Sequence, residues 1–329
     1  MSVPYDETVL TANVRGASRL TGRPVARAAL GAACISSSAI MVTLAHVGPA
    51  TTAFYRCLLA LPVLVLLAVL EQRRYGPRPV RRRVSAWLAG LLLAVDLILW
   101  NHSIADVGAG VATVLGNLQV LFVAVLAWML FRERPTRRYL IMLPVVLLGV
   151  VLVSGLVGGT TAGLNPIAGI GYGVGTSVAY AGFLLILRQT AGPAKHIAGQ
   201  LADATAGAVA GSVLLGLAFG GLQFDVPWHS LRWLLILALM SQTLGWLLIT
   251  SSLPRLPAAV SSLLLLLQPA AALVLADIVL GERPTLIQVL GAGLVCAGVL
   301  AATWSASVRQ QADDSVAVDR AQAVTANST

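Results

Sequence analysis

Ten apolar stretches, near 28–46, 50–70, 85–105, 108–130, 139–156, 167–188, 198–219, 231–252, 258–280 and 286–304, take up most of this 329-residue chain. Each is close to the about 20 residues that a helix needs to cross a bilayer. A backbone surrounded by hydrocarbon has to satisfy its own hydrogen bonds, so each stretch is expected to be helical. Composition leaves little alternative: 57% of the residues are hydrophobic and 11% are charged, against roughly 25% charged in a soluble domain. The fold class expected is an all-α integral membrane protein whose solvent is the lipid bilayer.

The formal charge of +9 does not point to nucleic acid, because the basic residues sit in short loops without an aromatic-basic platform. Placing the N-terminus in the cytoplasm puts 19 Lys and Arg residues in inside segments and two, Arg232 and Arg283, outside. That asymmetry is the positive-inside pattern of a cell-membrane protein with both termini cytoplasmic. The polar residues 1–24 read as a cytoplasmic tail, with the first apolar run retained as a helix because it is too long for a signal-peptide core. Residues 306–329 are polar and read as a disordered cytoplasmic tail.

The chain also repeats itself. Glu133-Arg134-Pro135-Thr136 returns as Glu282-Arg283-Pro284-Thr285, 149 positions later, and Leu118-Gln119 and Gly149-Val150 return as Leu267-Gln268 and Gly298-Val299 at the same offset. The repeats divide the chain into 25–156 and 167–305, each with five runs. An odd number per half turns the second half upside down, giving ten transmembrane helices as a 5+5 inverted-topology repeat. Inverted repeats are the architecture of secondary transporters, with the substrate site near mid-membrane between the halves. The tetrapeptides fall on opposite membrane faces in this topology, so they read as turns, with Pro in the first turn of the following helix; a salt bridge at a gate is the minor alternative.

Two five-helix halves, a polar or Pro break in the fourth helix, and Gly281-Glu282-Arg283-Pro284 before a last run with Gly291, Gly293 and Gly298 together resemble the EamA-like branch of the drug/metabolite transporter superfamily. The resemblance covers about residues 25–305 and implies an exporter-like carrier of small metabolites with a central cavity. One departure stands out. The second half has Gln268-Pro269 where the first has Gln119-Val120, so the fourth helix of the first half is expected to be the straighter one.

Polar residues inside apolar runs are expensive and are expected to face the bundle interior. The substrate-cavity candidates are Arg56, Asp96, Trp100, Asn117, Gln119, Tyr180, Gln242, Trp246 and Gln268. A guanidinium suits a carboxylate, and an aspartate suits an amine or a proton. Arg56 and Asp96 are equally readable as an ion pair that locks two helices. Asp96 and Trp100 share a helix face, as do their counterparts Gln242 and Trp246. Trp87 and Trp233, at the same spacing, suit an interfacial aromatic belt. Asp96 and Asp203 are the candidates for proton coupling. Asp203, Gly207 and Gly211 lie on one face of the seventh run, where small residues allow close helix approach; the glycines of the sixth run offer a matching surface.

No phosphate-binding glycine loop or nucleophile elbow is present in the sequence. No metal ligand set or cofactor is expected, and Cys34, Cys57 and Cys296 read as apolar filler. The expected activity is secondary transport, by alternating access, of small polar or amphipathic metabolites resembling amino acids, with protons as a candidate coupling ion. A drug-efflux carrier is the nearest alternative. A membrane-embedded enzyme or a scaffold is the alternative of another class. The sequence leaves oligomeric state open.

Overall fold

The computed structural model describes residues 24–153, 165–190, 196–280 and 285–301. Apart from Pro24 the two predicted tails lie outside these residues, as do Glu282, Arg283 and Pro284 of the second tetrapeptide. Among the described residues every regular element is helical. In chain order these are α1 (24–36), α2 (Ser38–Ala45), α3 (Pro49–Tyr75), α4 (Val80–Asn117), α5 (Gln119–Phe131), α6 (Arg137–Val153), α7 (Pro166–Thr190) and α8 (Ile197–Phe219). They continue as α9 (Trp228–Leu237), a π-helical segment Ala238–Gly245, α10 (Trp246–Ser252), α11 (Ala258–Leu265), α12 (Leu267–Leu280) and α13 (Leu286–Ala301). Among the described residues six helical stretches are long and apolar enough to cross a bilayer: Pro24–Val42, Pro49–Tyr75, Val80–Ser103, Ile167–Thr190, Ile197–Phe219 and Trp228–Arg255. Leu115–Phe131, Val260–Ala272 and Leu286–Ala301 are shorter apolar helices.

The helical run α4 is not a straight rod. In a straight helix Trp100 and Gly116 would be about 24 Å apart. Instead a methyl group placed on Gly116 would lie 3.7 Å from the Trp100 ring. Thr176 and Ser177, neighbours on α7, reach the carbonyls of Asp96 and Leu115 respectively. The chain therefore doubles back between these points while keeping helical backbone, close to the junction expected between the runs 85–105 and 108–130.

The first half departs from expectation at its next helix. It is interrupted at Leu118 (φ −61°, ψ −12°), just before Gln119, much as the second half is interrupted at Leu266 (φ −68°, ψ −7°), just before Leu267-Gln268. In the second half Pro269 lacks the N–H that would bond the carbonyl four residues earlier, and its ring crowds that carbonyl. The first half achieves its break with hydroxyl groups. Ser177 Oγ donates to the carbonyls of Leu115 (2.5 Å) and Gly116 (3.0 Å), and Tyr139 Oη donates to that of Val120 (2.9 Å). At the break itself the Ser177 side chain on α7 takes up carbonyls where the first half has no proline.

Thr136 corrects the reading of the tetrapeptide. Its hydroxyl accepts from the Tyr139 N–H (3.2 Å) and caps α6, so Pro135 stands before the helix, outside its first turn. Thr285 repeats the device, accepting from the Gln288 N–H (3.3 Å) while Gln288 Oε1 accepts from the Thr285 N–H (2.9 Å). This is a reciprocal capping box.

Close helix contacts fall where side chains are absent. Gly149 on α6 faces Val295 on α13, and Gly298 on α13 faces Val146 on α6. Gly149 and Gly298, like Val146 and Val295, are 149 residues apart. The contact therefore maps onto itself when the halves are exchanged. Gly207 and Gly211 on α8 pack against Trp87, Leu91 and Ala94 of α4, with Gly90 of α4 set against Ala204 and Ala208. The expected partner was the glycine surface of α7. That surface is also taken by α4, since Gly173 faces Leu115 and Ser103, and Gly175 faces Leu99. Gly90→Leu would drive a side chain into the Ala204 backbone. The expected result is a loss of about 1–3 kcal/mol, typical of overpacking, read as a lower melting temperature in detergent.

Candidate substrate cavity

The helix interruptions and the α4 hairpin bring polar groups from distant runs to one cavity of about 250 Å³. Arg56 (α3), Asp96, Trp100 and Asn117 (α4), Gln119 (α5), Tyr180 (α7), Trp246 (α10) and Gln268 (α12) all line it. Ser36, Ser38, Thr176 and Pro269 complete much of the polar and kinked wall. Thr176 was not anticipated, although its place one turn before Tyr180 was the available signal. Tyr180 stacks edge-on against Trp246, with ring centroids 6.2 Å apart.

Gln242, the ninth candidate, is 0% exposed and does not line the cavity. Its Oε1 accepts from Arg56 Nη2 at 3.1 Å, and its Nε2 donates to Thr205 Oγ1 on α8 at 3.3 Å. Ser241 Oγ accepts from the same Nη2 at 3.4 Å. Arg56 is consequently turned toward the π-helical segment, and no ion pair joins it to Asp96 among the described residues. The locking Arg56–Asp96 pair weighed from the sequence is not formed, because neutral partners on a neighbouring helix hold the guanidinium. Arg56 Nε and Gln119 Oε1 are buried without a hydrogen-bond partner. The cavity wall thus carries a guanidinium held by neutral groups and, among the described residues, a carboxylate outside any ion pair, beside aromatic surface.

Asp203 lies elsewhere. Its carboxylate is 2.6 Å from Arg78 Nη2 and 3.6 Å from Arg83 Nε, at the arginine-rich end of the bundle and outside the cavity lining. The same end carries further ties between the halves. Glu71, in the last turn of α3, accepts from the N–H groups of Ala198 (2.9 Å) and Gly199 (2.8 Å) at the start of α8. Glu133, just past α5, is 2.6 Å from Arg188 at the end of α7 and accepts from Ala258 N–H (3.3 Å) at the start of α11. Each carboxylate meets positive partial charge at a helix N-terminus. By helix rise, Arg56 lies about 22 Å along α3 from Glu71 but about 10 Å from its opposite end at Pro49. The cavity is therefore the farther side of the bundle from these ties. At that opposite end Thr51 Oγ1 donates to Gly221 O (3.2 Å), and Tyr55 Oη to Phe224 O (2.8 Å).

A multi-pass helical bundle with a polar cavity among interrupted helices is the build of a membrane transporter. The chain belongs to the EamA-like transporter family, whose model matches residues 24–155 and 167–304; the family falls within the drug/metabolite transporter superfamily. An uncharacterized transporter of Synechocystis sp. is 26% identical over 245 residues, which cover 71% of this chain and 74% of the relative. A crystal structure of a protein with 15% sequence identity superposes with a TM-score of 0.73 over 86% of this chain and 97% of its own; at that identity the likeness speaks to fold.

Proposed function

We propose that this protein is a secondary transporter of the plasma membrane that exports small zwitterionic or amphipathic metabolites, in the manner of an amino-acid carrier. Ten spans in two inverted sets of five are part of this reading, with the arginine-rich face and both termini cytoplasmic. The observation that carries it is that Arg56 and Asp96 share one cavity wall without pairing with each other. A solute carboxylate then has a guanidinium to meet, and a solute ammonium has a carboxylate. Trp100, Tyr180 and Trp246 give an apolar side chain a surface. The charged ties at the arginine-rich face support alternating access, in a state closed toward the cytoplasm.

Reconstituted protein tests this reading. Counterflow of labelled amino acids, amines and hydrophobic cations is measured in proteoliposomes, with and without a pH gradient. Flux of zwitterions is expected; flux of hydrophobic cations alone would favour the drug-efflux alternative, and no flux of any class would overturn transport. Asp96→Asn is expected to abolish the response to the pH gradient while exchange continues. A gradient response that survives in Asp96→Asn removes Asp96 as the proton carrier.

A further inference from the structure

We infer that Gln242 is a positioning residue that fixes Arg56 for anion recognition while leaving its charge unspent. The inference rests on the cavity being a substrate site. Gln242 occupies in the second half the position that Asp96 occupies in the first, 146 residues earlier. The two side chains have separate tasks. Asp96 lines the cavity, whereas Gln242 is wholly buried behind Arg56.

An amide can hold a guanidinium by one hydrogen bond without neutralising it. A carboxylate at the same place would form an ion pair and draw off the attraction a solute anion needs. Arg56 can only donate, so the amide oxygen of Gln242 faces it, and Nε2 is left to donate to the Thr205 hydroxyl. The π-helical winding contributes as well. Its i→i+5 pattern narrows the angle between successive side chains, so Ser241 and Gln242 both reach the same Nη2. Arg56 lines the cavity while Gln242 stands behind it, so the guanidinium keeps its full charge at the wall.

The test separates holding from neutralising. Binding of phenylalanine, phenethylamine and 3-phenylpropanoate to the full-length protein in detergent is measured for wild type, Gln242→Glu and Gln242→Leu, together with melting temperature. Gln242→Glu keeps the shape and strengthens the bond to Arg56, so it is expected to fold with undiminished melting temperature. It is nevertheless expected to weaken the two carboxylate-bearing probes by about tenfold or more and to leave phenethylamine unchanged. Gln242→Leu is expected to show the same selectivity. A purely structural role predicts the reverse, with Glu restoring all binding that Leu loses. That result, or equal weakening of all three probes, overturns the inference. Should Gln242→Leu fail to fold, Gln242→Glu alone decides. Wild type that binds none of the probes overturns the proposed function and this inference with it, whereas wild type that binds them and is unaffected by Gln242→Glu overturns this inference alone.

Discussion

Neutralising Glu71 and Glu133 together, as Glu71→Gln and Glu133→Gln, is expected to move the opening of the cavity from one membrane face to the other. Glu71 caps α8 and Glu133 caps α11 while pairing with Arg188, so both carboxylates hold the first half of the chain against the second. Hydrogen bonds to charged groups contribute about 1.5–3 kcal/mol each. Glu133 is 34% exposed, and its pair with Arg188 is discounted accordingly. About 3 kcal/mol for the double substitution is then a fair figure, enough for a population shift on the order of a hundredfold. A cysteine at Ser36, in the cavity wall, reports the outcome in a protein from which Cys34, Cys57 and Cys296 have been removed. A membrane-impermeant maleimide is expected to label the parent from the face opposite the arginine-rich loops and the double variant from the arginine-rich face. Unchanged labelling would show that these carboxylates do not hold the closure.

Arg56→Gln is expected to have the largest effect on recognition. It removes the cavity-lining guanidinium and leaves Gln242 facing a neutral side chain. Loss of a charge-assisted bond to a solute carboxylate is expected to weaken phenylalanine binding by about ten- to a hundredfold, with phenethylamine binding retained. Arg56→Lys restores the charge without the planar fork, and partial recovery is expected. Titration calorimetry on the purified variants reads both. Equal loss of acid and amine probes would instead mean that Arg56 serves packing.

The residues that line the cavity were legible because membrane physics makes them conspicuous. A charge or amide within an apolar run has few reasons to be there, and Asp96-Trp100 and Gln242-Trp246 announced themselves twice at one spacing. What their spacing could not carry was depth behind the wall. Nothing in the sequence distinguishes an amide facing the cavity from one facing a guanidinium, so Gln242 was assigned to the surface it supports. The ties at the arginine-rich end were hidden for a related reason. Glu71 and Glu133 act on backbone N–H groups of Ala198, Gly199 and Ala258, which leave no mark in side-chain chemistry. The glycines of α8 signalled close approach correctly but could not name α4 as the partner, because the hairpin that brings α4 between α7 and α8 is a property of the tertiary fold.

The two helix interruptions differ in permanence. Pro269 cannot regain the N–H it lacks, so the discontinuity at Leu266 is built into the second half in every conformation. The one at Leu118 has no such covalent cause. The Ser177 hydroxyl holds the carbonyls of Leu115 and Gly116 there, and it can release them and let the ordinary helical ladder re-form. A bundle whose halves look alike at rest therefore contains one fixed elbow and one that can heal, and the first half is where straightening costs only a few exchanged hydrogen bonds.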